Sequence, residues 1–320
     1  MGIVDCQNLE PVKYFDLRDY IEKIKVDSDV LQHMQDTSVE FKNYMEKIGK
    51  FDKQEVINYW LIQMAEELVS SNKIEKHYIR KQDILKQDLF FKTLDINHAR
   101  IHELHKFVMQ KDMPSQYRTG PIRVSAMMPD GKEKIYWYGP DAEDVTKFMD
   151  TFIDVYKTDD TSILNLNPFL KSALIQLLFI RIHPYSDGNG RVSRMLHSIK
   201  ITEAINKIYD KNYKICPLNI SGSILINQFS YVKILDNIYF DIEHDNNVYI
   251  NKWFNFILNM IDEQLYYSNS KIEKLKETYN LYKTDDKKFN LMLQRILNDI
   301  RNLDEINIDE LSKNVKKYTK

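Results

Sequence analysis

The run from Phe169 to Ile182 constrains the fold of this chain more than any other stretch. Leu170, Ala173, Leu174, Leu177, Leu178, Phe179 and Ile182 cover most of a helix's circumference, and a helix apolar nearly all round must lie among other elements. Asn167-Pro168 supplies an N-cap and a first-turn proline for its start. A second periodic run, Met195 to Ile208, follows after a short break. The geometry implied is helix, tight loop, helix, with the loop resting on a rigid base of the kind a reactive constellation needs. With 8 Gly and 8 Pro in 320 residues, long helices are favoured over a turn-rich β fold.

The break itself reads His183-Pro184-Tyr185-Ser186-Asp187-Gly188-Asn189-Gly190-Arg191-Val192-Ser193-Arg194. Folding needs alone do not account for a lone His beside a Pro after an apolar helix. Gly188, Asn189 and Gly190 tolerate positive φ, so their backbone N–H groups can converge on one point. Arg191 and Arg194 fall in the first turn of the second helix, where cations oppose the helix dipole by roughly 0.3–1 kcal/mol each. An anion held between that helix N-terminus and the two guanidinium groups would reverse the penalty. The loop reads as a phosphate cradle with a base and a carboxylate attached.

The remaining bounds are broad. A net charge of −2 gives no global attraction to nucleic acid or membrane. Cys6 and Cys216 allow no disulfide framework and lack metal-ligand spacing. The start of the chain, Met1-Gly2-Ile3-Val4-Asp5-Cys6, lacks the apolar core of a signal peptide. No stretch approaches 18 apolar residues, so no membrane span is expected, and the reading is a mostly helical cytoplasmic protein.

In chain order, residues 1–50 form an N-terminal helical extension around Leu17, Tyr20, Ile21 and Ile24. Asp52 with Glu55 reads as a capping box for a helix whose face is Ile57, Trp60, Leu61, Met64 and Leu68. That helix runs into Ser71 and Glu75, which are four apart and share a face. Two helices follow over residues 78–115, around Ile84, Leu89, Phe90 and Leu94, then Ile101, Leu104, Phe107 and Val108. Val124-Ser125-Ala126-Met127-Met128 and Ile135 to Tyr138 flank the turn signal Pro129-Asp130-Gly131-Lys132, which predicts a β-hairpin. Two strands alone cannot form a core, so the hairpin is a packed flap or a docking edge for an extended peptide. Helical spacing resumes over Asp144 to Tyr156; Ser221-Gly222-Ser223 reads as a polar break, followed by helices over Ile224 to Phe240 and Tyr249 to Tyr267. Residues 268–283 read as a linker or exposed helix, and Phe289 to Leu303 as amphipathic. The units are therefore residues 1–50, a helical region at 51–77, a core at 78–265, and a C-terminal helical segment at 266–320 suggestive of an incomplete winged-helix module. The basic ending at Lys313, Lys316, Lys317 and Lys320 reads as a solvated face, so DNA binding is not expected.

His183 to Arg194 resembles the signature of the Fic family, HPFx[D/E]GN[G/K]RxxR, with Tyr185 where Phe is usual. The resemblance extends over about residues 55–262. It implies an all-α Fic fold with one β-hairpin flap over the active site. The implied activity is transfer of AMP from ATP to a Tyr, Ser or Thr hydroxyl of a target protein, and to the enzyme itself, with homo-oligomer formation left open. His183 would act as general base. Asp187 would bind Mg²⁺ or Mn²⁺. The remaining nucleotide-binding positions are Gly188, Asn189, Gly190, Arg191, Val192, Ser193 and Arg194, with Tyr231 near the base. Val124 to Met128 would dock the target.

Ser71-x-x-x-Glu75 in turn resembles the inhibitory [S/T]xxxE[G/N] motif of that family, which implies that Glu75 pairs with Arg194 and misaligns ATP. Lys76 departs from the Gly or Asn of the motif. Three other readings remain: a de-AMPylase in which Glu75 orients water, transfer from another nucleotide donor, and a DNA-associated regulator with a degenerate core.

Overall fold

A computed structural model describes residues 17–51, 53–84, 94–110, 115–127, 131, 133–158, 167–209, 211–244 and 247–282. The helices are α1 (Leu17–Glu22), α2 (Ser28–Ile48), α3 (Lys53–Ile74), α4 (Lys81–Ile84), α5 (His98–Met109), α6 (Val145–Lys157), α7 (Pro168–Ile182), α8 (Asn189–Tyr209), α9 (Ile220–Ile226), α10 (Gln228–His244) and α11 (Val248–Tyr282). Strands β1 (Arg123–Met127) and β2 (Glu133–Tyr138) pair antiparallel, with a register irregularity between Val124 and Ser125. The described residues are therefore mainly helical with one hairpin, as the sequence implies.

α7 and α8 form the centre. α7 starts as expected, with Asn167 Oδ1 accepting from Phe169 N–H and Pro168 in the first turn. Its side chains from Phe169 to Phe179 are all buried, because α6, α8 and α11 pack around it. α8 is buried nearly as completely, against α5, α7 and α3. The antiparallel pair leaves the His183 loop at one end, braced below by the most rigid part of the molecule. No described helix is long and apolar enough to cross a membrane.

Two local expectations change. Ser221-Gly222-Ser223 is not a break but lies inside α9: Asn219 Oδ1 accepts from Gly222 N–H at 3.0 Å. The buried Glu67 carboxylate of α3 also accepts from Ser221 N–H, at 2.7 Å, and from its hydroxyl. The single helix expected over Ile224 to Phe240 is two, divided at Asn227, whose amide bonds the Ser223 carbonyl. Of the two readings for residues 268–283, linker or helix, the helical one holds through residue 282, because α11 runs on to Tyr282 without interruption. Asp52, Leu89, Phe90, Met128, the segment Phe289 to Leu303 and the basic ending lie outside the described residues.

Candidate active site

His183 is the C-cap of α7, at φ 50° and ψ 58°, with its N–H bonded to Phe179 O at 3.0 Å. A left-handed conformation costs a non-glycine residue roughly 1–2 kcal/mol, so neighbouring contacts must hold it. Arg118 supplies two: its N–H bonds Pro184 O at 2.8 Å and its Nε bonds His183 O at 2.9 Å. The imidazole Nδ1 lies 3.1 Å from Ile180 O. A carbonyl can only accept, so Nδ1 carries the proton and the Nε2 lone pair is left for chemistry. Burial lowers the His183 pKa to about 4, helped by the Arg118 and Arg181 cations against the opposing Ile180 carbonyl and Glu75 carboxylate. The base is therefore neutral over the ordinary assay range.

The loop's left-handed turn is confined to Gly188, at φ 84°; Asn189 and Gly190 already belong to α8. The three-residue concave nest expected from Gly188-Asn189-Gly190 is thus a helix N-terminus with one glycine before it. Val192 N–H to Gly188 O, at 2.9 Å, is the first i→i−4 bond of the helix. The N–H groups ahead of it stand at its open, positively polarised end. The Asn189 side chain serves the loop itself. It is buried, accepts from Tyr185 N–H at 2.9 Å and donates to Tyr185 O at 2.7 Å, stapling the loop across its mouth. Asn189→Ala removes both bonds and leaves buried groups unmatched, which costs about 2 kcal/mol. The expected result is a calorimetric Tm lower by roughly 4–8 °C.

A shelf from α5 supports the same loop. His105 stacks on Tyr185, with centroids 3.8 Å apart and planes 9° from parallel, and its Nε2 donates to Asp187 O at 3.0 Å. His102 Nδ1 meets the Tyr185 hydroxyl at 2.8 Å. A Cβ on Gly188 would lie 2.6 Å from Met109 Sδ, a flexible side chain that can give way, so it is the positive φ that disfavours other residues there.

Asp187 Oδ1 accepts from Gly188 N–H at 2.6 Å and from Arg191 Nη2 at 3.1 Å. Partial burial would raise its pKa, but Arg191, the Gly188 N–H and His77 together hold it below the ordinary value. No cluster of three or more ligating side chains occurs among the described residues. One ionised, solvent-facing carboxylate suits Mg²⁺, which usually takes one or two protein carboxylates and completes its shell from phosphate and water.

Arg194 is buried and held chiefly by α3. Its Nε donates to Ser71 Oγ at 2.8 Å, and Nη2 donates to Ser71 O and to Glu75 Oε1, each at 2.9 Å. A Cβ on Gly190 would overlap the Glu75 carboxylate, which therefore rests directly on the open end of α8. Glu75 is held there by a Schellman ending. Lys76 is left-handed at φ 60°, its N–H bonds Lys73 O at 2.9 Å, and His77 N–H bonds Asn72 O at 2.9 Å. Lys76 thus occupies the conformation that Gly or Asn favours.

The other expected residues divide. Arg191 is buried between Asp187 and Asn72 Oδ1, the latter at 3.4 Å. Val192 is wholly enclosed in the core, and Ser193 Oγ bonds Gly190 O at 2.8 Å, so neither side chain faces the cradle. A helix face recurs only every three or four residues, so consecutive positions of α8 cannot all face the loop. Tyr231 is buried against Trp253 and Phe256. Burial raises its pKa, and the adjacent Arg194 opposes that rise, which places it beside Arg194. Of Val124 to Met127 only the strand backbone is described, and Met128 lies outside the described residues.

Sequence reasoning missed Asn72, Arg118 and the histidines of α5. The spacing His98, His102, His105 puts the three on one helix face and was the available signal. Arg118 shows none, because its four acceptors are backbone atoms.

Residues 95–199 match the Fic/DOC family. Over 111 residues, 34% of the chain, the sequence is 32% identical to a protein adenylyltransferase Fic of Nematostella vectensis, and the chain spans 23% of that relative's length. A crystal structure of a Fic family protein from Desulfovibrio desulfuricans G20 superposes with a TM-score of 0.56 at 13% identity, over 92% of this chain and 86% of that one. A Fic domain containing signaling protein from Bacteroides thetaiotaomicron gives 0.50 at 18% identity, over 75% and 96%. These two similarities concern the fold.

Proposed function

Because the chain belongs to the Fic/DOC family, we propose that it is a protein adenylyltransferase, transferring AMP from ATP to a hydroxyl of a target protein or of itself, and that α3 holds it inhibited. The observation that carries this reading is the hold of Ser71 and Glu75 on Arg194 directly above the N-terminus of α8.

The chemistry follows from the residues in place. The Nε2 lone pair of His183 takes the proton of the attacking hydroxyl, a general-base contribution of about 10²–10⁴ in rate. The hydroxyl oxygen bonds the α-phosphorus, the bond from that phosphorus to the bridging oxygen of the β-phosphate breaks, and pyrophosphate leaves. N–H groups at the open end of α8 face the charge that develops on the α-phosphate. Arg191 and Arg194 hold the β- and γ-phosphates. Asp187 would hold Mg²⁺, which when bound neutralises phosphate charge. Glu75 keeps Arg194 from the γ-phosphate and occupies space over Gly190, so ATP cannot settle with its α-phosphate in line.

Intact-mass measurement after incubation with each nucleoside triphosphate and Mg²⁺, on wild type and Glu75→Gly, tests the reading. A gain of one AMP that is greater in the variant supports it. No gain with any nucleotide rejects it. Release of AMP from a modified protein by wild type and not by the variant would instead make Glu75 the water-orienting group of a de-AMPylase.

Lys76 offers a finer test. Lys76→Gly relieves a left-handed non-glycine residue in the closed state, a gain of about 1 kcal/mol. Basal transfer is expected to fall roughly five-fold, measured as the initial rate of AMP incorporation beside that of wild type.

A further inference from the structure

We propose that Arg118 is a positioning residue that locks the stem of the hairpin to the backbone of the general base. A strand docked on the hairpin and the His183 imidazole then keep one register. The proposal rests on the adenylyltransferase reading and adds to it the part that aligns the acceptor with the base.

Arg118 is 6% exposed, and four of its donors go to four backbone carbonyls in three separate segments. Its N–H and Nε hold Pro184 O and His183 O. Nη1 donates to Gly120 O at 2.8 Å, just before β1, and Nη2 donates to Pro140 O at 2.5 Å, just after β2. Gly139 N–H to Ile122 O, at 3.0 Å, closes the same stem. Burying a guanidinium is costly unless its donors are matched. Among the described residues no carboxylate is hydrogen-bonded to this one; Asp141 is near enough only to offset part of the burial that lowers its pKa.

A loop staple needs one or two such bonds, and a polar neutral side chain would supply them. Reaching both stems and the catalytic loop together requires the rigid planar fork of Arg, which Lys cannot reproduce. An isolated hairpin is marginal and cannot fix its own orientation. The site needs that orientation, since an error of 1 Å at the acceptor can cost on the order of 100-fold in rate. His183 adds a second need, because its left-handed backbone persists only while its carbonyl is held.

The test compares Arg118→Lys, which keeps the charge, and Arg118→Met, which removes it, each in the Glu75→Gly background. In the Lys variant, self-modification with ATP is expected to fall at least ten-fold, with the calorimetric Kd for Mg-ATP changed less than two-fold. Hydrogen exchange is expected to quicken at least ten-fold in residues 119–140 and 183–188 together, with α7 and α8 unchanged. The Met variant should show the same pattern more strongly; if it does not fold, the Lys variant decides. The exchange measurement needs no catalysis, so it judges the joint even if the chain transfers no AMP. Exchange that quickens in only one segment, in neither, or throughout α7 and α8 overturns the proposal. A parallel loss of transfer and ATP affinity also overturns it.

Discussion

Glu75→Gly is expected to raise AMP transfer by ten- to about 100-fold. The upper figure corresponds to a site held 99% closed, which requires about 2.7 kcal/mol. One charge-assisted hydrogen bond to a buried guanidinium contributes roughly 1.5–3 kcal/mol. The Glu75–Arg194 bond at 2.9 Å is of that kind, with Arg194 buried and Glu75 partly solvated. The variant leaves Arg194 bonded to Ser71 Oγ and Ser71 O. The guanidinium therefore stays in place while the carboxylate over Gly190 disappears. ATP should stabilise the variant against heat far more than wild type, because at a given concentration a ligand stabilises more the smaller its Kd. Scanning calorimetry with and without Mg-ATP reads that difference. Equal transfer by both proteins would remove the inhibitory role of α3.

His183→Ala in the Glu75→Gly background is expected to lower transfer by 10²–10⁴ and to leave the Kd for Mg-ATP within about two-fold, since no phosphate contact is assigned to His183. A calorimetric titration beside the rate assay separates the two. The pH profile carries a second mark of the same residue. Burial lowers the His183 pKa to about 4, against about 6.5 in the unfolded chain. A depressed base is neutral over more of the range, so the acid limb of kcat/KM should fall near pH 4 rather than 6.5. The linked stability runs in the same direction: it is fully present above pH 6.5 and is lost as pH falls toward 4. Removing Glu75 takes away a carboxylate that favours imidazolium, so the limb should not move upward in the released variant.

How much was legible in the sequence differs by residue. The helix–loop–helix was readable because its signals are local: Asn167-Pro168 caps α7, the run to Ile182 is buried, and the cradle follows at once. The pairing of Glu75 with Arg194 came only from resemblance, since 119 positions separate the two. The Ser71 and Glu75 spacing looks like any polar helix end. The Asn189 staple was not readable locally, because an amide can serve a phosphate or its own loop equally well, and only the fold brings the Tyr185 backbone to its side chain. Val192 and Ser193 belong to the motif by position, but packing buries both side chains away from the cradle.

By itself the sequence determined which groups are available: an imidazole, a carboxylate, two guanidinium groups and a glycine turn, set between two helices whose apolar patterning fixes them as a central pair. Periodicity and capping are short-range properties, and they are written in neighbouring residues. The tertiary structure decided which of those groups are engaged. It lowered the His183 pKa by burial, gave Arg194 to α3, set Lys76 in a left-handed ending beneath Glu75, and joined the hairpin stem to the His183 loop through Arg118. Each of these depends on desolvation or on contact between segments distant in sequence, and neither quantity exists until the chain has packed.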